Sequence, residues 1–144
     1  MKKYTNDQLA FIVARIAIGV NLLVHGLVRI PKLTAFAEGL TKGFSETLLP
    51  TFIVAPFAYV LPFIELILGL FLIVGFKTRV AVVTSTFLIT LLIFGSGLKE
   101  DWAAVGTQMI YVIFFFLLLK NLDHNCIAID SKRKMTVDGF KTKK

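Results

Sequence analysis

Within stretches otherwise apolar enough to cross a bilayer, the chain carries Arg15 and Glu65, and near them Asn21, His25, Arg29, Gln108 and Tyr111. A charge at membrane depth is costly, so ionisable side chains there face a protein interior and are the first place to look for proton, ion or substrate chemistry. At ~100° per residue, Arg15, Asn21, Leu22, His25 and Arg29 fall within about 120° of one another, with Gly19 and Gly26 beside them. One face of the first segment is therefore polar and thin enough for a neighbouring backbone to approach. Counting the rise per residue from the ends of the two segments puts Arg15 about 10 Å and Glu65 about 16 Å from one membrane surface, a gap that an arginine covers. The expectation is an Arg15–Glu65 ion pair, with Asn21 also donating to the carboxylate. A histidine is suited to ligand or proton work, Arg29 one turn on would favour the neutral imidazole of His25, and Gln108 and Tyr111 share a face of the last segment. With Arg29 they could complete a ligand pocket. The competing reading is a clamp, in which the buried pair joins two helices and specifies the fold without doing chemistry.

The elements that hold these residues follow from hydropathy. The chain has 144 residues, is 56% hydrophobic and only 17% charged, which is too apolar for an ordinary soluble domain. Apolar runs at about 9–30, 52–76, 80–98 and 103–119 approach or exceed the ~17 residues that a spanning helix needs. The expected fold is all-α: a polytopic, antiparallel four-helix transmembrane bundle over residues 1–120, followed by a basic tail, 121–144. The first run is longer than a signal-peptide core and lacks a cleavage pattern, so it reads as a retained span. Pro31 closes that span. In the long connection from Pro31 to Thr51, the residues Leu33, Phe36, Ala37, Leu40 and Phe44 recur at helical spacing and predict a short interfacial helix. The turn at Gly75–Arg79 is too short for anything but a tight hairpin. Trp102 suits an interfacial anchor, and Pro62 suggests a kink near Glu65.

The formal net charge is +7, and the whole of it falls on the side that carries both ends of the chain. By the positive-inside rule, both termini are expected in the cytoplasm. Anionic headgroups account for this charge, and no nucleic-acid recognition module is present. Cys126 is the only cysteine, so the chain holds no intramolecular disulfide or dithiol relay. His25 lacks a second ligand at metal spacing, and no metal site is expected.

The stretches RIAIGVNLLVHGLVRIPKL (Arg15 to Leu33) and PFIELILGLFLIVGFKTRVA (Pro62 to Ala81) resemble the DoxX family of small four-span bacterial membrane proteins. The resemblance implies a shared polar core at Arg15, His25 and Glu65, with packing positions at Gly19, Gly26 and Gly69. The basic residue that members often have after the His-Gly corresponds to Arg29 or Lys32. Members related to DoxD and DoxA are similar to membrane subunits of thiosulfate:quinone oxidoreductase, and others resemble membrane partners of thiol and oxidative-stress proteins. The implied role is a redox-linked membrane subunit with a quinone as candidate ligand, a redox or thiol-handling partner, and room for homo-oligomerisation. The alternative is a non-enzymatic anchor or assembly factor. A minimal transporter is the third reading, and four short spans without discontinuous segments make it the weakest.

Overall fold

The computed structural model describes residues 4–131. Lys2, Lys3 and the part of the basic tail from residue 132 onward lie outside the described residues. The order is α1 (Asn6–Arg29), a 3₁₀ turn (Ile30–Lys32), α2 (Leu33–Lys42), α3 (Thr51–Val74), α4 (Thr78–Leu98), α5 (Trp102–Lys120) and a second 3₁₀ turn (Leu122–His124). Four of these helices are long and apolar enough to cross a membrane. They form an up-and-down bundle in which α1 packs chiefly on α3 and α4 on α5, with α3–α4 and α1–α5 contacts closing the ring. The perimeter is apolar, with exposed Val13, Phe87, Leu91 and Phe116, as expected of a surface facing acyl chains rather than water.

Local chemistry sets the helix ends. Thr5 and Gln8 form a reciprocal capping box at the start of α1. Asp101 accepts the Ala104 N–H at the start of α5. The 3₁₀ turn with Pro31 at its second position separates α1 from α2. The amphipathic segment is helical as expected: Ala37 and Phe44 are buried, Phe36 and Leu40 pack against the core, and α2 lies against α3. Helix α3 is assigned without interruption through Pro56 and Pro62.

The α1–α3 interface decides the register of the site. A Cβ placed on Gly26 would stand 2.5 Å from the Pro62 carbonyl oxygen and 2.8 Å from the Leu66 nitrogen. One on Gly19 would stand 3.1 Å from the Gly69 carbonyl oxygen and 3.1 Å from the Ile73 nitrogen. A Cβ on Gly69 would collide with the Leu23 backbone. The two antiparallel backbones therefore touch at glycines, the small-residue packing that lipid-embedded helices use in place of a hydrophobic drive. Gly26 facing Pro62–Leu66 and Gly19 facing Gly69–Ile73 put Glu65 level with His25 and Arg15 level with the α3–α4 turn.

That turn is built by the chain that follows α5. Gly75 ends α3 with φ 68, a left-handed cap that glycine adopts without strain. The Phe76 N–H returns to the Phe71 carbonyl. Lys77 follows with φ 45 and offers α4 no side-chain cap of its own. Asp130 replaces it from a distant part of the sequence: its carboxylate accepts the Lys77 N–H at 2.8 Å and the Thr78 N–H at 2.7 Å. The Asp130 N–H also binds the Gly75 carbonyl. Asn125 donates to the Thr78 hydroxyl at 3.0 Å. Residues 125–131 thus latch beneath the hairpin.

Burial pushes the Asp130 carboxyl up, but the Thr78 N–H and hydroxyl, the Lys77 N–H and the Arg15 charge outweigh it and hold the group below the usual carboxylate range. A carboxylate with a depressed folded value contributes stability above its unfolded value and loses it as pH falls through the folded one. Amide protection across 125–131, taken relative to the intrinsic exchange rate at each pH, is accordingly expected to fall on acidification below about pH 4, the ordinary aspartate value. Asp130→Asn should abolish that pH dependence, and Asp130→Ala should cost about 1 kcal/mol, as loss of a helix cap does. A protection factor that is flat with pH in the wild type would contradict the capping role.

Candidate functional site

The structure pairs Glu65 with Arg29, not with Arg15. Arg29 Nη1 lies 2.7 Å from Glu65 Oε1 and 2.5 Å from Oε2, while the carboxylate side chain is 1% exposed. The expected Arg15–Glu65 pair fails because depth counted from helix ends assumes that the two spans begin at one level. The glycine contacts instead offset α1 and α3, leaving Arg15 about ten residues, or ~15 Å, from the level of Glu65. Arg29 reaches inward by one turn and also stacks on Phe36 of α2, with Cζ 4.8 Å from the ring centroid. A guanidinium engaged at once by a carboxylate and an aromatic face is held firmly in a low-dielectric setting.

Arg15 is itself buried, at 2% exposure, but serves the opposite end of the bundle. Its Nη1 donates to Asn125 Oδ1 at 2.7 Å and its Nη2 to the Ile127 carbonyl at 2.8 Å. It therefore ties α1 to the latch rather than to the polar cluster.

His25 completes the cluster. Its Nδ1 lies 3.9 Å from Glu65 Oε1, and its side chain is 38% exposed. On α1 it borders Val24 and Val28, both of which face outward. The imidazole is thus part-exposed beside apolar residues of the perimeter, with Nδ1 toward a buried, charge-balanced carboxylate. Asn21 does not donate to Glu65: its Nδ2 binds the Tyr111 hydroxyl at 3.2 Å, joining α1 to α5. Gln108 donates to Ser96 Oγ at 3.0 Å, joining α5 to α4. Asn21 Oδ1 and Gln108 Oε1 are buried acceptors that receive no hydrogen bond among the described residues. The polar residues of the four helices are therefore divided into three sets: His25–Glu65–Arg29, Asn21–Tyr111 and Gln108–Ser96, with Arg15 apart.

The charged set forms an open edge rather than a chamber. Neither the 270 Å³ cavity between α1 and α5 nor the 330 Å³ cavity beneath α2 is lined by any of its three residues. Two features went unread in the sequence. Ser96 carries no signal beyond its type. The latch was announced by the apolar Ile127, Ala128 and Ile129 next to Asn125 and Asp130, a pattern that suits docking more than a solvated tail.

A bundle of four helices long and apolar enough to span a membrane defines a multi-pass membrane protein, and its buried carboxylate–guanidinium pair with the part-exposed His25 is the candidate site. A family model described as DoxX matches residues 10–97. The chain belongs to the DoxX family, as the Arg15–Leu33 and Pro62–Ala81 stretches suggested. Comparison with curated proteins and with solved structures finds no match.

Proposed function

We propose that this chain is a redox-linked membrane subunit at which a quinone-class carrier exchanges protons with His25 while a partner protein handles the electrons. The supporting observation is the placement of His25, part-exposed on the perimeter beside the outward-facing Val24 and Val28 and with Nδ1 3.9 Å from a buried carboxylate already neutralised by Arg29. A lipophilic ring reaches such an edge laterally without leaving the hydrocarbon, whereas a water-soluble substrate does not. With its proton on Nδ1, facing Glu65, the imidazole offers Nε2 as acceptor to a quinol hydroxyl. With the proton on Nε2 it donates to a quinone carbonyl. Each turnover moves two electrons and two protons, and His25 carries the protons singly. Asn21–Tyr111 and Gln108–Ser96 hold α5 against α1 and α4 and thereby keep the edge in place. We place the cluster toward the outer face of a bacterial inner membrane, with both termini cytoplasmic, on the charge asymmetry.

His25→Ala should lower quinone reduction by membranes carrying the native complex by about 10²-fold, the usual weight of a general acid–base group. Binding of a short-chain quinone to the purified protein should fall with it. Unchanged rates and unchanged binding would overturn the reading. If a defined protein partner then copurifies equally with wild type and His25→Ala, the anchor or assembly-factor role takes its place.

A further inference from the structure

The 330 Å³ cavity lies where α2, the start of α3 and the end of α4 meet, at the end of the bundle opposite the latch. Its volume is within the range of small-ligand sites. Leu40 of α2 and Phe44, just after that helix, roof it, and Phe57 and Leu92 line its interior. Gly95 makes room for the roof, since a Cβ there would stand 3.0 Å from Phe44 Cζ. The lip is apolar: Ile53, Leu91 and Phe94 are 50%, 58% and 58% exposed on the perimeter. An apolar chain therefore enters from the hydrocarbon without crossing a polar barrier.

Only two polar side chains line it, Ser96 and Lys99. The Lys99 ammonium lies 5.2 Å from the centroid of the Phe44 ring, so it is held at the roof rather than free in solvent. The ion pairs among the described residues are those of Glu65 with His25 and Arg29. Among the described residues Lys99 thus has no carboxylate partner and presents a cation directly beside an apolar cavity, near Trp102, which is exposed at the start of α5. Charge complementarity and the route of entry together select the occupant. We propose that the cavity takes one acyl chain of an anionic phospholipid from the adjoining leaflet, with its phosphate against Lys99. A basic residue near a membrane surface is worth about 1 kcal/mol toward anionic lipid, which corresponds to roughly fivefold in affinity.

The test titrates the delipidated full chain in mild detergent with dioleoyl-phosphatidylglycerol and, separately, dioleoyl-phosphatidylcholine, and counts bound copies by native mass spectrometry. One copy of the anionic lipid is expected at about fivefold lower concentration than the zwitterionic one. Lys99→Gln should bring the ratio to about one. Leu92→Trp should fill the cavity and remove single-copy binding of both lipids. Leu91→Trp narrows the lip from outside the core and should do the same if the interior variant does not fold. Equal affinity for the two lipids, a preference that survives Lys99→Gln, or binding that survives both tryptophans would overturn the proposal. So would displacement of the phosphatidylglycerol by an equal concentration of inorganic phosphate or oleate.

Discussion

Arg29→Ala is expected to destabilise the bundle by about 3–5 kcal/mol, the cost of breaking one side of a buried ion pair. The effect is large because Glu65 is 1% exposed and loses its strong charged donor, the Arg29 Nη1 that both carboxylate oxygens share, with only His25 near enough to compensate. Much of the loss is the penalty of a stranded buried charge rather than the net worth of the pair. Arg29→Ala combined with Glu65→Ala should therefore recover a good part of it. A double-mutant cycle in mild detergent, read by helix content against increasing denaturing detergent, measures the coupling. Coupling of at least about 1 kcal/mol is expected for Arg29 with Glu65, and additivity within about 0.5 kcal/mol for Arg15 with Glu65. The opposite pattern would mean that α1 and α3 pair in a different register, and the candidate site would dissolve with it.

The second large effect is expected at Gly26. An alanine there sets its methyl carbon 2.5 Å from the Pro62 carbonyl oxygen and 2.8 Å from the Leu66 nitrogen. Both are backbone atoms of a helix, so they cannot swing aside as the end of a flexible side chain would. The helices must separate, at about 1–3 kcal/mol for overpacking of this kind. His25 lies one residue before Gly26 and Glu65 one residue before Leu66, so separation withdraws the imidazole and Arg29 from the carboxylate. Gly26→Ala should thus lower thermal stability in detergent and weaken the Arg29–Glu65 coupling in the same protein. Gly106→Ala is the control, because a Cβ there meets nothing within 4 Å. Equal stability of the two variants would show that the α1–α3 contact is not close.

Hydropathy made the fold class legible because the bilayer forces every backbone group into internal hydrogen bonds and leaves long apolar helices as the natural solution for runs of this length. The helix in the connection was legible for a related reason: Leu33, Phe36, Ala37 and Leu40 repeat at the helical period, and α2 buries that side. The positions Gly19, Gly26 and Gly69 were expected from the resemblance, and they lie at the backbone contact between α1 and α3. Glu65, His25 and Arg29 were all recognisable as costly residues in an apolar setting.

Which of them meet was a different matter. Residue type and helical angle determined that α1 carries a polar face, and hydropathy determined that this face belongs to a spanning helix. Neither sets how far one helix slides along another, and one helical turn of ~5.4 Å exchanges one possible partner for the next. The backbone contacts of Gly19, Gly26 and Gly69 decided that slide, giving Glu65 to Arg29 and His25 and leaving Arg15 to Asn125 and Ile127. The sequence by itself determined a membrane bundle and the side chains that must be sheltered within it. Only the tertiary structure decided their pairing, because a charge in a low-dielectric interior takes the partner that packing brings within reach.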